Sequence, residues 1–355
     1  MERQQRRAVG ILVGLFLSTG CATLGPQVSR QEIRQARQEL QVKSLLSVSD
    51  QERRLLTIGH RLIDHLPPQD RRGPYPDLGV VVATITPTAR AAFGYAPKLN
   101  GAYILALREQ GPAEAAGLKV GDLMLALGGK RCSAPHQFQA LAGRLRPGAV
   151  VSIHVQRGME ALDVPVTVGT RPRMVQFMVS RDEHVNAWAK GAKEIGVTSG
   201  LLHFLQSDDE LAAILGHELA HITENHRLRG LPSKAISTPL SLTIGALADL
   251  AVPGASDAVV SATAGMVESA FAWDFEREAD YRGLLHAYRA GYDIEAGVRV
   301  WERFGIDAPS SLTADLRTSH PSSPERMVRM RKLAESLGKD GLEATIAKYE
   351  GRASR

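Results

Sequence analysis

Hydrophobic and polar residues follow two different periods along the chain, and the first patterned segment is helical. Leu55, Leu62 and Ile63 belong to a set of apolar residues that recur every three or four positions, as on one face of an α-helix. Residues 49–52 have the form of a capping box, and Pro67-Pro68 follow the pattern, so a first helix is predicted within residues 49–72. Its apolar face is expected to pack on another element.

From residue 73 to residue 170 the pattern changes to short apolar runs separated by glycine, which predicts a β-rich domain inserted after the first helix. Short helices are predicted at 112–117 and 135–145. Gly128-Gly129 suits a tight hairpin turn. The predicted strands are 78–85, 102–107, 123–127, 150–156 and 164–168.

The segment from 171 to 340 returns to helical spacing and predicts a mainly helical domain, followed by a basic C-terminal tail at 341–355. Runs 175–179 and 194–198 are predicted to be two short strands joined by a turn. A second capping box at 207–210 begins a helix. The buried side of that helix is predicted to contain Leu211, Ile214, Leu215, Leu219 and Ile222.

The composition is that of an ordinary globular protein with room for about two domains in 355 residues. The net charge of +5 is not accompanied by interleaved aromatic and basic residues, so no nucleic-acid partner is expected. The apolar stretch 241–266 is interrupted by Asp249, Pro253 and Asp257, which predicts buried or groove-lining helices rather than a membrane span.

The N-terminal residues indicate the compartment. Arginines precede an apolar run at 8–17 that is too short for a stable membrane anchor, and small residues then lead to Cys21. This order resembles a bacterial lipoprotein signal, although the leucine usually found three residues before the cysteine is here four before it, at Leu17. The resemblance implies a signal peptide at 1–20, a lipid on Cys21 and a tether at 21–48. We expect a periplasmic protein held at a membrane, the outer rather than the inner one. With Cys21 lipidated, Cys132 is the only other cysteine, so no internal disulfide is expected.

The sequence His-Glu-Leu-Ala-His at 217–221 carries the most specific chemistry. Residues four apart on an α-helix lie about 40° apart around its axis, so His217 and His221 can bind one metal ion. Glu218 is turned about 100° from His217 and can reach a water on that metal. A third ligand is needed, and Glu276 on a later helix supplies a carboxylate, with Asp280 one turn further on to orient a metal-bound histidine.

The other candidate ligands have a weaker case for binding the metal. His226 lies five residues after His221, about 140° around a continued helix, so it is predicted to be a helix-end or surface histidine. Glu278 is the rival of Glu276 as the carboxylate ligand. The remaining histidines have no ligand spacing and are interpreted as structural; they are His60, His65, His136, His154, His184, His203 and His286.

The motifs at 217–221 and 276–280 together resemble the gluzincin zinc metallopeptidases of the CaaX-prenyl-protease and HtpX type. The resemblance covers about residues 51–72 and 171–335 and implies one Zn²⁺ per chain, bound by His217, His221 and Glu276, with Glu218 as general base. The family's Glu-x-x-Ala-Asp spacing favours Glu276 over Glu278, which is then expected to be a solvated charge. Residues 318–321 and Arg326 resemble a late segment in which a histidine, here His320, stabilises the oxyanion or takes the fourth zinc position. Asn186 and Ala187 resemble the strand that pairs with the substrate backbone.

Residues 111–122 (Gly-Pro-Ala-Glu-Ala-Ala-Gly-Leu-Lys-Val-Gly-Asp) are similar to PDZ domains of bacterial proteases. Such domains bind an extended peptide at a sheet edge, and Leu78, Gly79 and Val80 match the carboxylate loop and the receiving strand. The partner would be a substrate or another envelope protein. A domain that only packs on its neighbour is the alternative.

These resemblances imply an α+β protein, with a mainly helical zincin-type domain containing a small sheet and an inserted β-rich PDZ-like domain. The expected function is zinc-dependent endopeptidase activity on protein or peptide substrates in bacterial envelope quality control. An envelope chaperone or adaptor with a zinc site latched by His320 is the alternative. Prenyl-protein processing is a third option, disfavoured because no membrane span is predicted.

Overall fold

The computed structural model describes residues 25–229, 256–307 and 324–351, with side chains in these ranges except at 256–272 and 307. Cys21, the lipoprotein-like signal, His320 and most of the stretch 241–266 lie outside the described residues. The chain divides into two compact units, Met1–Ser44 and Leu45–Arg355. The contacts that build the fold and the site lie within Leu45–Arg355. The fold is α+β, as expected.

The first helix, α1, runs from Arg30 to Asp64, so the prediction that a helix begins at Ser49 is wrong. The Ser49 hydroxyl donates to the carbonyl of Leu105 (2.6 Å), and the Glu52 carboxylate accepts the N–H of Val179 (3.1 Å). Both side chains of the apparent capping box therefore contact other elements. The helix ends before Pro67-Pro68 as predicted, and the predicted apolar face is buried: Leu55, Leu56, Ile58, Leu62 and Ile63.

The inserted domain contains an antiparallel sheet of the expected kind. Its strands lie in the order β2-β3-β4-β6-β7, with β5 on β4, while β1 pairs with β8 where the chain enters and leaves. The strands are β1 (Tyr75–Asp77), β2 (Val80–Thr84), β3 (Ala102–Leu107), β4 (Leu123–Leu127), β5 (Lys130–Arg131), β6 (Val150–Arg157), β7 (Glu160–Thr167) and β8 (Gly169–Arg171). The helices are α2 (Pro87–Phe93), α3 (Pro112–Ala115) and α4 (Pro135–Ala142).

Two local features of this domain test the turn and helix predictions. Gly128 and Gly129 both have positive φ (58° and 74°) between β4 and β5, which confirms the tight hairpin. Helix α2 was not predicted. Its first turn is capped by Thr86, whose side chain accepts the N–H of Ala89 (3.1 Å), and it ends at Gly94 with φ of 69°.

The helical domain is built on a three-stranded sheet of β9 (Gln176–Ser180), β10 (Ala187–Lys190) and β11 (Glu194–Thr198), in the order β10-β11-β9. Strands β9 and β11 pair in parallel, so the prediction of two strands joined by a turn is wrong: a third strand lies between them in sequence. The helices are α5 (Ser199–Phe204), α6 (Asp208–Thr223), α7 (His226–Arg229), α8 (Ser256–Arg289), α9 (Ile294–Asp307), α10 (Pro324–Asp340) and α11 (Leu342–Glu350).

Helix α6 begins as the sequence predicts. The Ser207 side chain accepts the N–H of Glu210 (3.2 Å), while the Glu210 carboxylate accepts the N–H of Gln206 (2.6 Å). Its predicted core residues are confirmed as buried: Leu211, Ile214, Leu215, Leu219 and Ile222. The cap thus sets the position of both histidines further along this helix.

Within the predicted basic tail, residues 342–350 form the helix α11. The Glu350 carboxylate accepts a hydrogen bond from Arg282 (2.7 Å), and Thr345 is fully buried. Cys132 is buried as a free thiol. None of the helices in the described ranges combines the length and hydropathy needed to cross a bilayer.

Candidate metal centre

Two helices supply the predicted ligands and approach each other closely at two glycines. A Cβ atom on Gly216 of α6 would lie 2.5 Å from the carbonyl oxygen of Gly283, and one on Gly283 of α8 would lie 2.6 Å from the amide nitrogen of His217. Only glycine allows this approach without a shift of backbone. The crossing places His217 within reach of Glu276 and Asp280.

Three side chains converge between these helices. The Nε2 atoms of His217 and His221 are 3.2 Å apart, and they lie 3.3 and 3.4 Å from the two carboxylate oxygens of Glu276. One ligand atom from each residue lies within 4.8 Å of the others. Two imidazole nitrogens and one carboxylate oxygen are the ligand set of a catalytic zinc site, in which the fourth position is open. The residues therefore fit Zn²⁺.

A buried ion-pair network orients His217. Its Nδ1 lies 3.1 Å from an Asp280 oxygen, and Arg326 donates from Nε and Nη2 to both Asp280 oxygens at 2.7 Å. Arg326 Nη1 is also 3.0 Å from Glu276. The Arg326 side chain is only 1% exposed and stacks on the Trp301 ring at 4.8 Å. Arg326 thus holds two carboxylates in place, one in the ligand set and one behind it.

The electrostatics of the site favour a cation. Burial would lower the pKa of His217, but hydrogen bonds to Asp280 and Glu276, with their negative charges, raise it to about 10. Burial and the charge of His217 lower the pKa of His221, against the opposing effect of Glu276. Burial would raise the pKa of Asp280, yet the charge of Arg326 and its hydrogen bonds hold it below its ordinary value. Glu218, next to His217 on α6, is buried as well.

His226 does not occupy the position that was predicted for it. Helix α6 ends at Thr223, and Asn225 has a left-handed φ of 54°, so the chain turns instead of continuing around the helix. His226 is buried, and its Nδ1 lies 2.9 Å from the Nδ1 of His221. Of the two predicted alternatives, the surface histidine is wrong because the side chain is buried, whereas the helix-end position is confirmed, since His226 is the first residue of α7. Asn225 was the available signal, because asparagine tolerates the left-handed conformation that ends a helix.

Glu278 is likewise not a free solvated charge. Its carboxylate lies 3.0 Å from the Nε2 of His226 and accepts a hydrogen bond from Arg229 at 2.6 Å. The hydrogen bond from His226 lowers the pKa of Glu278 to about 2, helped by Arg229 and opposed by burial. Glu278 points away from the ligand cluster and towards His226.

The predicted substrate strand lies at a sheet edge. Ala187 begins β10, which among the described strands pairs with β11 alone. Asn186 precedes it and is held by Thr198, whose hydroxyl accepts the Asn186 N–H at 3.0 Å. Helix α6 packs against β10. An exposed strand edge beside the histidine helix can receive an extended peptide.

Leu78, Gly79 and Val80 lie at the start of β2, which is an edge strand of the inserted sheet. Gly79 has a φ of 67°, and its N–H donates to Asp77 at 3.0 Å. A cavity of about 460 Å³ opens between β2, α4 and β9. One wall of the groove beside β2 is therefore formed by the sheet of the helical domain.

The sequence model of Peptidase family M48 matches residues 152–334, just over half of the 355 residues. The chain belongs to peptidase family M48. Within this M48 chain, residues 76–168 match the model of the PDZ domain. The resemblances to the zinc metallopeptidases and to PDZ domains are thereby confirmed.

Several named proteins are similar to this M48 chain over part of their length. The Beta-barrel assembly-enhancing protease of Escherichia coli is 28% identical over 45% of this chain and 34% of its own length. The Mitochondrial metalloendopeptidase OMA1 of Arabidopsis thaliana is 32% identical over 42% of this chain and 30% of its own length. The chain thus spans about a third of these relatives. A solved structure, "HtrA-type protease AlgW with decapeptide", matches with 29% identity over 28% of this chain and 30% of that one, at a TM-score of 0.27.

Proposed function

We propose that this chain is a zinc-dependent endopeptidase. The single observation that carries the proposal is the convergence of His217, His221 and Glu276, with a ligand atom of each inside 4.8 Å. The membership of family M48 and the metalloendopeptidase relatives support it. One Zn²⁺ per chain is expected, bound by these three side chains.

The residues of the site divide the work of peptide hydrolysis. When bound, zinc acts as a Lewis acid and lowers the pKa of water. The carboxylate of Glu218 accepts a proton from the attacking water and then delivers it to the leaving amine. The edge strand β10, with Asn186 and Ala187, pairs with the substrate backbone. His320, outside the described residues, is proposed to support the oxyanion or to close the site at rest.

The PDZ domain is proposed to bind protein segments beside Leu78, Gly79 and Val80. The match over residues 76–168, the edge position of β2 among the described strands and the adjacent cavity support this role. An extended segment would add to β2 as a further strand. The bound protein would be a substrate or another protein of the envelope.

We place the enzyme in the bacterial periplasm, in protein quality control, with a lipid on Cys21 and the outer membrane as the preferred site. The support is the order of charged, apolar and small residues before Cys21, and the similarity to a bacterial protease named for β-barrel assembly. Metabolic labelling with a palmitate analogue tests the anchor. Labelling of the full chain is expected, and loss of the label in Cys21→Ala is its control.

The activity itself is tested with purified protein and an unfolded substrate such as casein. We expect one equivalent of bound zinc per chain. Cleavage should stop on addition of a chelator and resume when zinc is added back. Protein that binds no zinc would contradict the proposal. Bound zinc without cleavage, with cleavage appearing in His320→Ala, would point instead to the latched chaperone or adaptor.

A further inference from the structure

We propose that His226 and Glu278 form a relay that positions His221 for metal binding. The inference deepens the proposed function and rests on it, since it assigns a role towards the same zinc ion. The three side chains form a line of hydrogen-bonding contacts: His221 Nδ1 to His226 Nδ1 at 2.9 Å, and His226 Nε2 to Glu278 at 3.0 Å.

The protons along this line can be placed in one way that permits metal binding. A histidine nitrogen binds a metal through its lone pair, so a ligating Nε2 of His221 leaves the proton on its Nδ1. That N–H then donates to His226, whose Nδ1 must be the acceptor. A neutral His226 therefore carries its own proton on Nε2, where Glu278 accepts it. The carboxylate thereby fixes the tautomers of both rings.

The relay is held rigidly in place. His226 is 4% exposed and its ring stacks on Phe275 with centroids 4.7 Å apart and planes 18° apart. Arg229 donates at 2.6 Å to the same Glu278 oxygen that His226 contacts, and so helps to hold the carboxylate. A small rotation of His226 would break both contacts at once, so this packing sets the orientation of His221.

Each of the two histidine ligands is thus oriented by a carboxylate, one directly and the other through an intervening ring. His217 contacts its carboxylate, Asp280, directly at 3.1 Å, whereas His221 reaches Glu278 through the inserted ring of His226. His226 is not itself suited to be a fourth ligand. Its Nδ1 faces His221 and its Nε2 faces Glu278, so neither nitrogen is directed at Glu276. His226 and Glu278 are positioning residues.

Zinc affinity in the full-length protein, measured by competition with a chromogenic chelator, tests the relay. Loss of such a partner typically weakens metal binding about 10–100-fold. We expect a loss in this range for His226→Ala, and recovery of most of the affinity in His226→Asn, whose amide oxygen can accept from His221 in place of Nδ1. His286→Asn is the matched control, because His286 is equally buried and contacts none of the three ligands in the described structure.

Unchanged affinity in His226→Ala, or equal losses in His226→Ala and His226→Asn, would overturn the relay. A wild-type protein that binds no zinc would instead overturn the proposed function, so the two failures are distinguishable. Should His226→Ala fail to fold, the wild-type zinc protein provides the second measurement. Its imidazole ¹⁵N spectra should show His226 as the neutral Nε2–H tautomer and His221 protonated on Nδ1. His226 protonated on Nδ1 would contradict the assignment.

Discussion

Gly216 and Gly283 face each other at the crossing of α6 and α8, with space for a hydrogen but not for a methyl group on either. The hypothetical Cβ atoms would come within 2.5 and 2.6 Å of backbone atoms on the opposite helix. Because His217 follows Gly216 directly and Glu276 lies two turns before Gly283, this contact sets the distance between ligands from different helices. The proposed metal site therefore requires glycine at both positions.

Replacing Gly283 by alanine should force the helices apart. Overpacking of this kind costs about 1–3 kcal/mol of stability, and we expect zinc affinity to fall about tenfold or more because the ligands separate. Gly338→Ala in α10 is the matched control: its Cβ would meet nothing within 4 Å, so about 0.5–1 kcal/mol of stabilisation is expected there. Urea unfolding and chelator competition measure both effects. Equal behaviour of the two variants would contradict the role of the crossing.

Arg326→Met should destabilise the fold strongly. The substitution removes the guanidinium that contacts both buried carboxylates, Asp280 and Glu276, and breaking a buried pair by removing one partner costs about 3–5 kcal/mol. Arg329→Met, three residues later on the same helix, removes an exposed arginine that pairs with Glu325 and should cost less than about 1 kcal/mol. Denaturant unfolding of both variants checks the contrast, and similar losses would refute it.

Glu52 should make stability depend on pH. Burial raises the pKa of Glu52 from 4.5 to about 7, against the hydrogen bond from Val179, so between these values the folded protein keeps a proton that the unfolded chain releases. The free energy of unfolding therefore decreases as pH rises through this window, by roughly 3 kcal/mol in total.

Glu52→Gln keeps an acceptor for the Val179 N–H and cannot ionise. Its advantage over the wild type in urea midpoint should be small at pH 5 and large at pH 8. Glu335→Gln, an exposed carboxyl on α10, controls for the loss of a negative charge. An advantage that stays constant between the two pH values would rule out the buried carboxyl as the cause.

Zinc should stabilise the folded chain, because its ligands come from α6 and α8 and are assembled only on folding. A ligand present at 100 times its Kd adds about 2.7 kcal/mol to the free energy of unfolding. Tm should therefore fall on treatment with a chelator and recover with zinc. His217→Ala should show no zinc-dependent change. A Tm insensitive to zinc in the wild type would count against the site.

Local chemistry predicted the parts of the site that lie on one helix. The Ser207 cap and the four-residue spacing of His217 and His221 depend only on neighbouring residues, and the structure retains both. Strands 102–107 and 123–127 were predicted with their observed bounds, because their apolar runs are continuous and bounded by glycine or polar residues. Such signals need no knowledge of distant contacts.

The start of α1 and the position of His226 were not predicted, the first because of tertiary contacts and the second because of a turn. Ser49 and Glu52 look like a helix cap, but each binds a strand that is distant in the sequence, so α1 continues through them. His226 was placed by extending α6 beyond Thr223, and the turn at Asn225 moved it under His221. For Ser49 and Glu52 a partner from elsewhere in the fold decided the outcome, whereas for His226 it was the local turn at Asn225.

Glu218 is proposed to carry the proton in zinc-dependent peptide hydrolysis. Casein cleavage and zinc content are compared in the wild type, Glu218→Gln and Glu224→Gln. Glu224→Gln is the control, because it makes the same change at the end of the same helix. We predict one equivalent of zinc in all three, cleavage by the wild type and Glu224→Gln, and a loss of at least about 100-fold in Glu218→Gln. Undiminished cleavage by Glu218→Gln with zinc bound would show that Glu218 is not the proton carrier.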